Sequence, residues 1–359
     1  MIRIIALNIM IFCAMMFLLL ITPPTAHAIK SLFRTETPDH MTVAAATPAL
    51  RDFDWALQSL RESLAISLSY NDFVVQRSED SVGGTVNVTD GVRHTVGDPR
   101  DGAGGPVWFF GGSTTWGAGV HDAFTYPSIF AQRTGRPVTN YGERAYTSRQ
   151  SLAYLQGLYL TKPEGPRTIV FYDGINDVAQ GCVTQTYSIN QTAMQTRFRA
   201  TLDALETSPS YRHLFAELRI FAAQVALRLG LVEPTVVKYA CSDDPERAAQ
   251  VAAGLVTIWQ HAQRLAEANG DTFLGVLQPV SFTREEDAPV LPEHPYYNQL
   301  LSEYRTVYPL IQIALTASDL PYIDLSHVFD NCPECYYDHV HVGPAAHEKL
   351  VDDLARVVP

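Results

Sequence analysis

The chain is short of positive charge: 26 lysines and arginines stand against 38 acidic residues, a net charge of −12 over 359 residues. Nowhere do the basic residues cluster, which excludes an electrostatic grip on nucleic acid. Internal repeats and low-complexity tracts are missing, so solenoid and compositionally biased organisations drop out. Cysteine is scarce, with five in all. The Gly-x-Ser-x-Gly elbow is also missing, because Thr115 stands where its second glycine would be. What remains is an apolar content of 47%, ordinary for a globular protein and enough for a real core in one large domain or two modest ones.

Long apolar runs are confined to the N-terminus. Arg3 precedes an almost unbroken apolar stretch from Ile4 to Ile21, followed by Pro23-Pro24-Thr25-Ala26-His27-Ala28. Ala26 and Ala28 fit a signal-peptidase site, so residues 1–28 read as a signal peptide. The run at 4–22 approaches the length that spans a bilayer, and an uncleaved membrane anchor is the alternative. Either reading places the rest outside the cytoplasm, periplasmic or secreted. Cys13 lies in this leader, leaving Cys182, Cys241, Cys332 and Cys335, an even number in an exported chain. Of three possible pairings, Cys182–Cys241 and Cys332–Cys335 are favoured. The competing reading is a zinc site from Cys332, Cys335, Asp338, His339 and His341. Export favours oxidation, so no metal and no cofactor is assigned.

Three segments carry chemistry. Val107-Trp108-Phe109-Phe110 reads as a strand buried on both faces, and Gly111-Gly112 then turns the chain so that Ser113 arrives at its carboxyl end. Ligands bind at that edge in open α/β sheets. A serine among small residues there is a candidate nucleophile, or plainly a helix cap. Thr168-Ile169-Val170-Phe171-Tyr172 repeats the pattern and ends in Asp173-Gly174-Ile175-Asn176-Asp177. An amide at Asn176 can donate to a developing oxyanion; the plain alternative is turn capping. Near the C-terminus, Asp338 stands three residues before His341, just ahead of an amphipathic helix from Ala345 to Val357. An aspartate so placed can hold the imidazole tautomer and leave the other ring nitrogen to act as a base.

Together these segments resemble the SGNH (GDSL-type) serine hydrolase superfamily. Gly111-Gly112-Ser113-Thr114 matches the first block, with Gly112 where the family usually has aspartate. Val138 to Ser148 matches the second block, Gly174-Ile175-Asn176-Asp177 the third, and Asp338-His339-Val340-His341 the fourth, in family order from about Pro106 onward. The resemblance implies a three-layer α/β/α sandwich with a central parallel sheet, flavodoxin-like. It implies Ser113 as nucleophile, His341 as base and Asp338 as its partner. The oxyanion hole would combine the Ser113 N–H, the Asn176 side chain and a block-two N–H. That block's usual glycine falls on Ala145, and Gly142 is the other candidate donor. Asp324-Leu325-Ser326-His327 repeats the Asp-x-x-His spacing, but the family places its pair directly before the last helix. Asp324 is expected to close a strand, and His121 to be a loop residue.

The expected organisation is a linker at 29–50, then a helix and small β extension at 51–105 packed on the main domain. The helix is read over Arg51–Tyr70, with a strand-like piece at Thr85–Val88. A hydrolase-like domain follows at 106–359, with a mostly helical insertion at about 181–241. Strands are expected at Thr272–Leu277 and Tyr322–Leu325, and helices at Ser148–Leu160, Glu246–Asn269 and 298–317, around an acidic, Pro-rich loop from Gln278 to Tyr297. The implied activity is that of an exported serine esterase on small-molecule or glycan esters, with O-acetyl groups of surface or extracellular polysaccharide first. Alternatives are a polysaccharide O-acetyltransferase and a non-catalytic carbohydrate-binding or assembly protein. Trp108, Trp116, Tyr126 and Tyr146 could stack on sugars, with core packing the plainer use.

Overall fold

Residues 40–161, 165–184, 238–281 and 295–359 are described by the computed structural model. The expected leader, residues 29–39 of the linker, most of the helical insertion and most of the Pro-rich loop lie outside them. Helices α1 (His40–Ala45) and α2 (Ala56–Ala65) precede a hairpin of β1 (Leu68–Asn71) and β2 (Val75–Ser78). Three short strands follow: β3 (Ser81–Val82), β4 (Asn87–Thr89) and β5 (Val92–Arg93). Strands and helices then alternate. β6 (Val107–Gly111), α3 (Ser113–Trp116), α4 (Tyr126–Thr134), β7 (Val138–Asn140) and α5 (Ser148–Thr161) come first. β8 (Thr168–Asp173), α6 (Ile175–Gly181), α7 (Pro245–Ala268), β9 (Thr272–Leu277), α8 (Pro295–Thr316), β10 (Tyr322–Asp324) and α9 (Pro344–Val357) complete the order.

The main sheet runs β10-β9-β8-β6-β7-β5-β4-β3, parallel from β10 to β7 and antiparallel beyond. Its central strands alternate between two apolar layers, as a strand buried on both faces requires. Trp108, Phe110, Ile169 and Phe171 pack with Leu155 of α5, Trp259 of α7 and Ile311 of α8. Val107, Phe109, Val170 and Tyr172 pack with Phe130 of α4 and Leu350 and Leu354 of α9. The result is three layers with a central parallel sheet. Helix starts follow local chemistry: the Asp244 side chain caps α7 by accepting from the Arg247 N–H, with Pro245 in the first turn.

Successive strands move one way from β6 to β7, and the other way from β6 through β8 to β10. The crevice at this switch lies at the carboxyl ends of β6 and β8, the two strands that lead into Ser113 and Asn176.

Three local expectations are corrected. The helix expected over Arg51–Tyr70 spans only Ala56–Ala65, because Leu68 onward pairs with β2. The Asn71 side chain accepts from the Phe73 and Val74 amides and turns that hairpin. The strand read at Thr85–Val88 shifts to Asn87–Thr89, since the Thr85 and Val86 amides donate to the Glu62 carboxylate instead of a ladder. The end of the expected linker is packed, with Leu50 fully buried. Ala44 onward belongs to one compact unit.

The extension joins the sheet through a single register pair, Arg93 with Asn140. Arg93 is buried, 2.7 Å from Asp122, and its guanidinium also donates to the Val120 carbonyl and lies over the Trp116 ring. Arg93→Ala would leave the buried Asp122 carboxylate without its guanidinium partner, held only by the Asn87 N–H and side-chain amide and the nearby His94 ring, and should cost about 3–5 kcal/mol in urea unfolding. Glu62 supplies a second anchor. Burial pushes its carboxyl up, but bonds from Thr85, Gln58 and Gly84 outweigh this and hold the pKa at about 2. A depressed folded pKa stabilises above the unfolded value of roughly 4.3 and is lost as pH falls through the folded one. Glu62→Gln should therefore flatten the acid limb of the stability profile between those two values; an unchanged limb would remove Glu62 as its source.

Candidate active site

The site starts from a tight strand end. A Cβ on Gly112 would run into Asn176 Nδ2, so with this placement of the amide the strand end meets α6 without a side chain between them. Ser113 then opens α3, with Gly112 at the cap position.

Ser113 Oγ is 2.7 Å from His341 Nε2, and His341 Nδ1 is 2.7 Å from Asp338 Oδ2. The other Asp338 oxygen accepts from the Val340 and His341 amides at 2.8 and 2.7 Å. Burial would raise the Asp338 pKa, yet the facing His341, its hydrogen bond and the charge of His339 hold it below the usual carboxylate range. The carboxylate engages Nδ1, so Nε2 is left for the serine hydroxyl. Side-chain exposures of 20% for His341 and 28% for Asp338 leave the pair reachable from solvent.

The loop carrying this pair is closed at its base. Tyr336 and Val342 form an antiparallel bridge, the Gly343 N–H donates to the Cys335 carbonyl, and Cys332 is bonded to Cys335. Tyr337 stacks against the imidazole with ring planes 10° apart, and its hydroxyl donates to the Ala118 carbonyl. The Tyr337 ring thus limits rotation of His341 from one face.

Block two shows which amide is open. The Gly142 N–H donates to Asn140 Oδ1 at 3.0 Å and is already occupied. The Ala145 N–H has no acceptor among the described residues. Ala145 sits at φ +64°, the left-handed region that favours glycine, where the resembled family has one. Three consecutive carbonyls hold this turn, each accepting from one side-chain amide. Gln76 Nε2 donates to Arg144 O at 2.9 Å, Gln180 Nε2 to Ala145 O at 2.8 Å and Asn176 Nδ2 to Tyr146 O at 2.8 Å. Asn176 keeps a second amide hydrogen for another acceptor. Asp177 accepts from the Ser148 N–H and hydroxyl, capping α5; burial pushes its carboxyl up.

Most remaining candidates have structural positions. Asp324 closes β10 and accepts from Gln312, while His327 pairs with Asp330, so this Asp-x-x-His does not form a dyad. His121 caps a short turn by accepting from the Ala123 N–H. Trp108, Trp116, Tyr126 and Tyr146 are buried and give no sugar platform. Cys182–Cys241 and Cys332–Cys335 are both disulfides, so the zinc reading loses its thiolates. Gln76, Gln180 and Tyr337 were not legible as site residues. Gln180, four residues after Asn176 and thus on the same helix face, carried a spacing signal; Gln76 carried none.

Comparison with known proteins adds a family. Similar solved structures include a lipolytic protein of the G-D-S-L family from Veillonella parvula, 13% identical, covering 71% of this chain and 98% of that one, TM-score 0.42. A carbohydrate acetylesterase family member from Sinorhizobium meliloti is 16% identical, covering 71% and 97%, TM-score 0.40. A GDSL-like lipase from Bacteroides thetaiotaomicron is 13% identical, covering 73% and 91%, TM-score 0.38. No curated protein matches. The model of the GDSL-like lipase/acylhydrolase family matches residues 109–349, more than half of the chain. The chain belongs to the GDSL-like lipase/acylhydrolase family.

Proposed function

We propose that this acylhydrolase-family protein is an exported serine esterase that uses Ser113, His341 and Asp338. The observation that carries the reading is the unbroken chain of two 2.7 Å contacts from the Ser113 hydroxyl through the imidazole to the Asp338 carboxylate. Ser113 Oγ attacks the ester carbonyl carbon while its proton passes to His341 Nε2, and Asp338 stabilises the resulting imidazolium. Negative charge gathers on the former carbonyl oxygen. The Ser113 and Ala145 backbone N–H groups and the free hydrogen of the Asn176 amide are the proposed donors to it. Collapse expels the alcohol, which takes the proton from His341. Water then attacks the acyl-serine with His341 as base, releasing the acid and restoring Ser113.

The substrate proposal rests on compartment. A leader at residues 1–28 read as an export signal supports an ester found outside the cytoplasm. O-acetyl groups on surface or extracellular polysaccharide are the first choice. The reachable Asp338–His341 pair is compatible with a bulky alcohol component.

A fluorophosphonate serine probe should label the wild type and leave Ser113→Ala unlabelled; an unlabelled, folded wild type would sink the catalytic reading in favour of a binding protein. Asn176→Ala should lower kcat by about 10²–10³-fold with a smaller change in KM. A wild-type kcat in a well-folded Asn176→Ala would remove that side chain from the oxyanion site.

A further inference from the structure

We propose that Gln76, in the N-terminal hairpin, is a positioning residue for catalysis that aims and strengthens the Ala145 N–H as an oxyanion donor. The proposal rests on the esterase reading above. Its core is one property of the peptide group. The Arg144 carbonyl and the Ala145 N–H belong to the same planar trans unit and point in opposite directions. A hydrogen bond that fixes the carbonyl therefore fixes the N–H. Gln76 Nε2 makes that bond, at 2.9 Å across 68 positions of chain. Donation to the carbonyl also polarises the amide, and coupled hydrogen bonds of this kind strengthen one another by about 10–30%.

Three further observations converge on the contact. Gln76 is fully buried and its Oε1 has no hydrogen-bond partner among the described residues, so the amide is kept in the interior for its single donation. A buried unpaired acceptor is costly, and an apolar side chain of the same shape would avoid that cost. The Gln76 backbone carbonyl accepts from the Tyr146 hydroxyl at 2.6 Å, so both sides of Ala145 are tied to one residue. Finally, three non-glycine residues among those described have positive φ: Val75, Asp90 and Ala145. Two of them flank this contact, one on each strand of chain. Val75, at +79°, is β-branched, which makes that conformation especially unfavourable.

Neighbouring bonds make the contact rigid. The Glu143 carboxylate accepts from the Ser78 N–H and hydroxyl at 2.6 and 2.9 Å. The Arg144 guanidinium donates to the Ser63 and Ile66 carbonyls at 2.7 and 2.8 Å. Residues 143 and 144 thus grip the extension with their side chains, while the Ala145 N–H of the next peptide has no acceptor among the described residues. The hairpin becomes part of the machinery through this one peptide.

The test uses Gln76→Met in the full chain, close in shape but without a donor. Active sites are counted with the fluorophosphonate probe, so that loss of folded protein does not enter kcat. Kcat per titrated site should fall about tenfold, a fraction of the effect of losing a whole oxyanion donor, with KM within about twofold. The ¹⁵N resonance of the Ala145 amide should shift as the carbonyl loses its partner. A lowered Tm with wild-type kcat per site would make Gln76 merely structural and overturn the proposal. If Gln76→Met gives no folded protein, Gln76→Asn carries the same measurements, and a wild-type kcat per site there overturns it equally. A wild type that neither labels nor hydrolyses esters would defeat the esterase reading instead, while the Ala145 resonance would still report whether Gln76 holds that peptide.

Discussion

The chemistry proposed for this protein depends on a hydrogen-bonded line between residues 228 positions apart, Ser113 and His341. Chain connectivity does nothing to bring them together. Ser113 stands at the carboxyl end of the central strand β6, and His341 on the loop ahead of α9. α9 buries Leu350 and Leu354 in the same apolar layer as Val107 and Phe109 of that strand. The packing of α9 on the sheet therefore sets the distance from hydroxyl to imidazole. Closing the loop at its base with a disulfide and a two-residue bridge removes freedom the pair would otherwise have to lose in forming.

The opposite wall of the site is built by different means. No strand reaches Ala145; the turn from Glu143 to Tyr146 is irregular backbone, and its carbonyls are held one by one by side-chain amides from three places. Asn176 and Gln180 come from successive turns of α6, and Gln76 comes from the hairpin. Irregular backbone near a buried site needs such partners, since a carbonyl stranded without one costs as much as a lost hydrogen bond. The bonds that satisfy the turn also orient its N–H groups. Stability and the proposed catalysis draw on the same contacts, which ties the extension to the domain more closely than its single register pair with the sheet suggests.

Periodicity and turn chemistry made most of the architecture legible in advance. Strands Thr168–Asp173 and Thr272–Leu277 and helices Ser148–Thr161 and Pro245–Ala268 lie where apolar runs and caps place them. The extension was less readable. Arg51–Tyr70 carries a helical pattern at its start, but the hairpin takes over at Leu68 through pairing that no local pattern announces. Val86 has the composition of a strand residue, yet its amide is claimed by Glu62 from 24 positions away. Long-range partners overrode local preference in both places.

Linear order pointed to the residue types that could do the proposed work. A serine after a double glycine, an asparagine after a second strand, and an aspartate three residues before a histidine each have a local meaning. So does the even number of cysteines outside the apolar N-terminal stretch read as a leader. Spacing alone could not separate Asp338–His341 from the equally spaced Asp324–His327, and the preference for the first pair came from its place before the last helix; the fold turns His327 toward Asp330 and His341 toward Ser113. Nor could spacing decide between Gly142 and Ala145. That choice depends on where each N–H points, and Asn140 already occupies the first. Hydrogen bonds are directional and short, so their partners are chosen by orientation in space, a quantity that spacing along a chain does not carry.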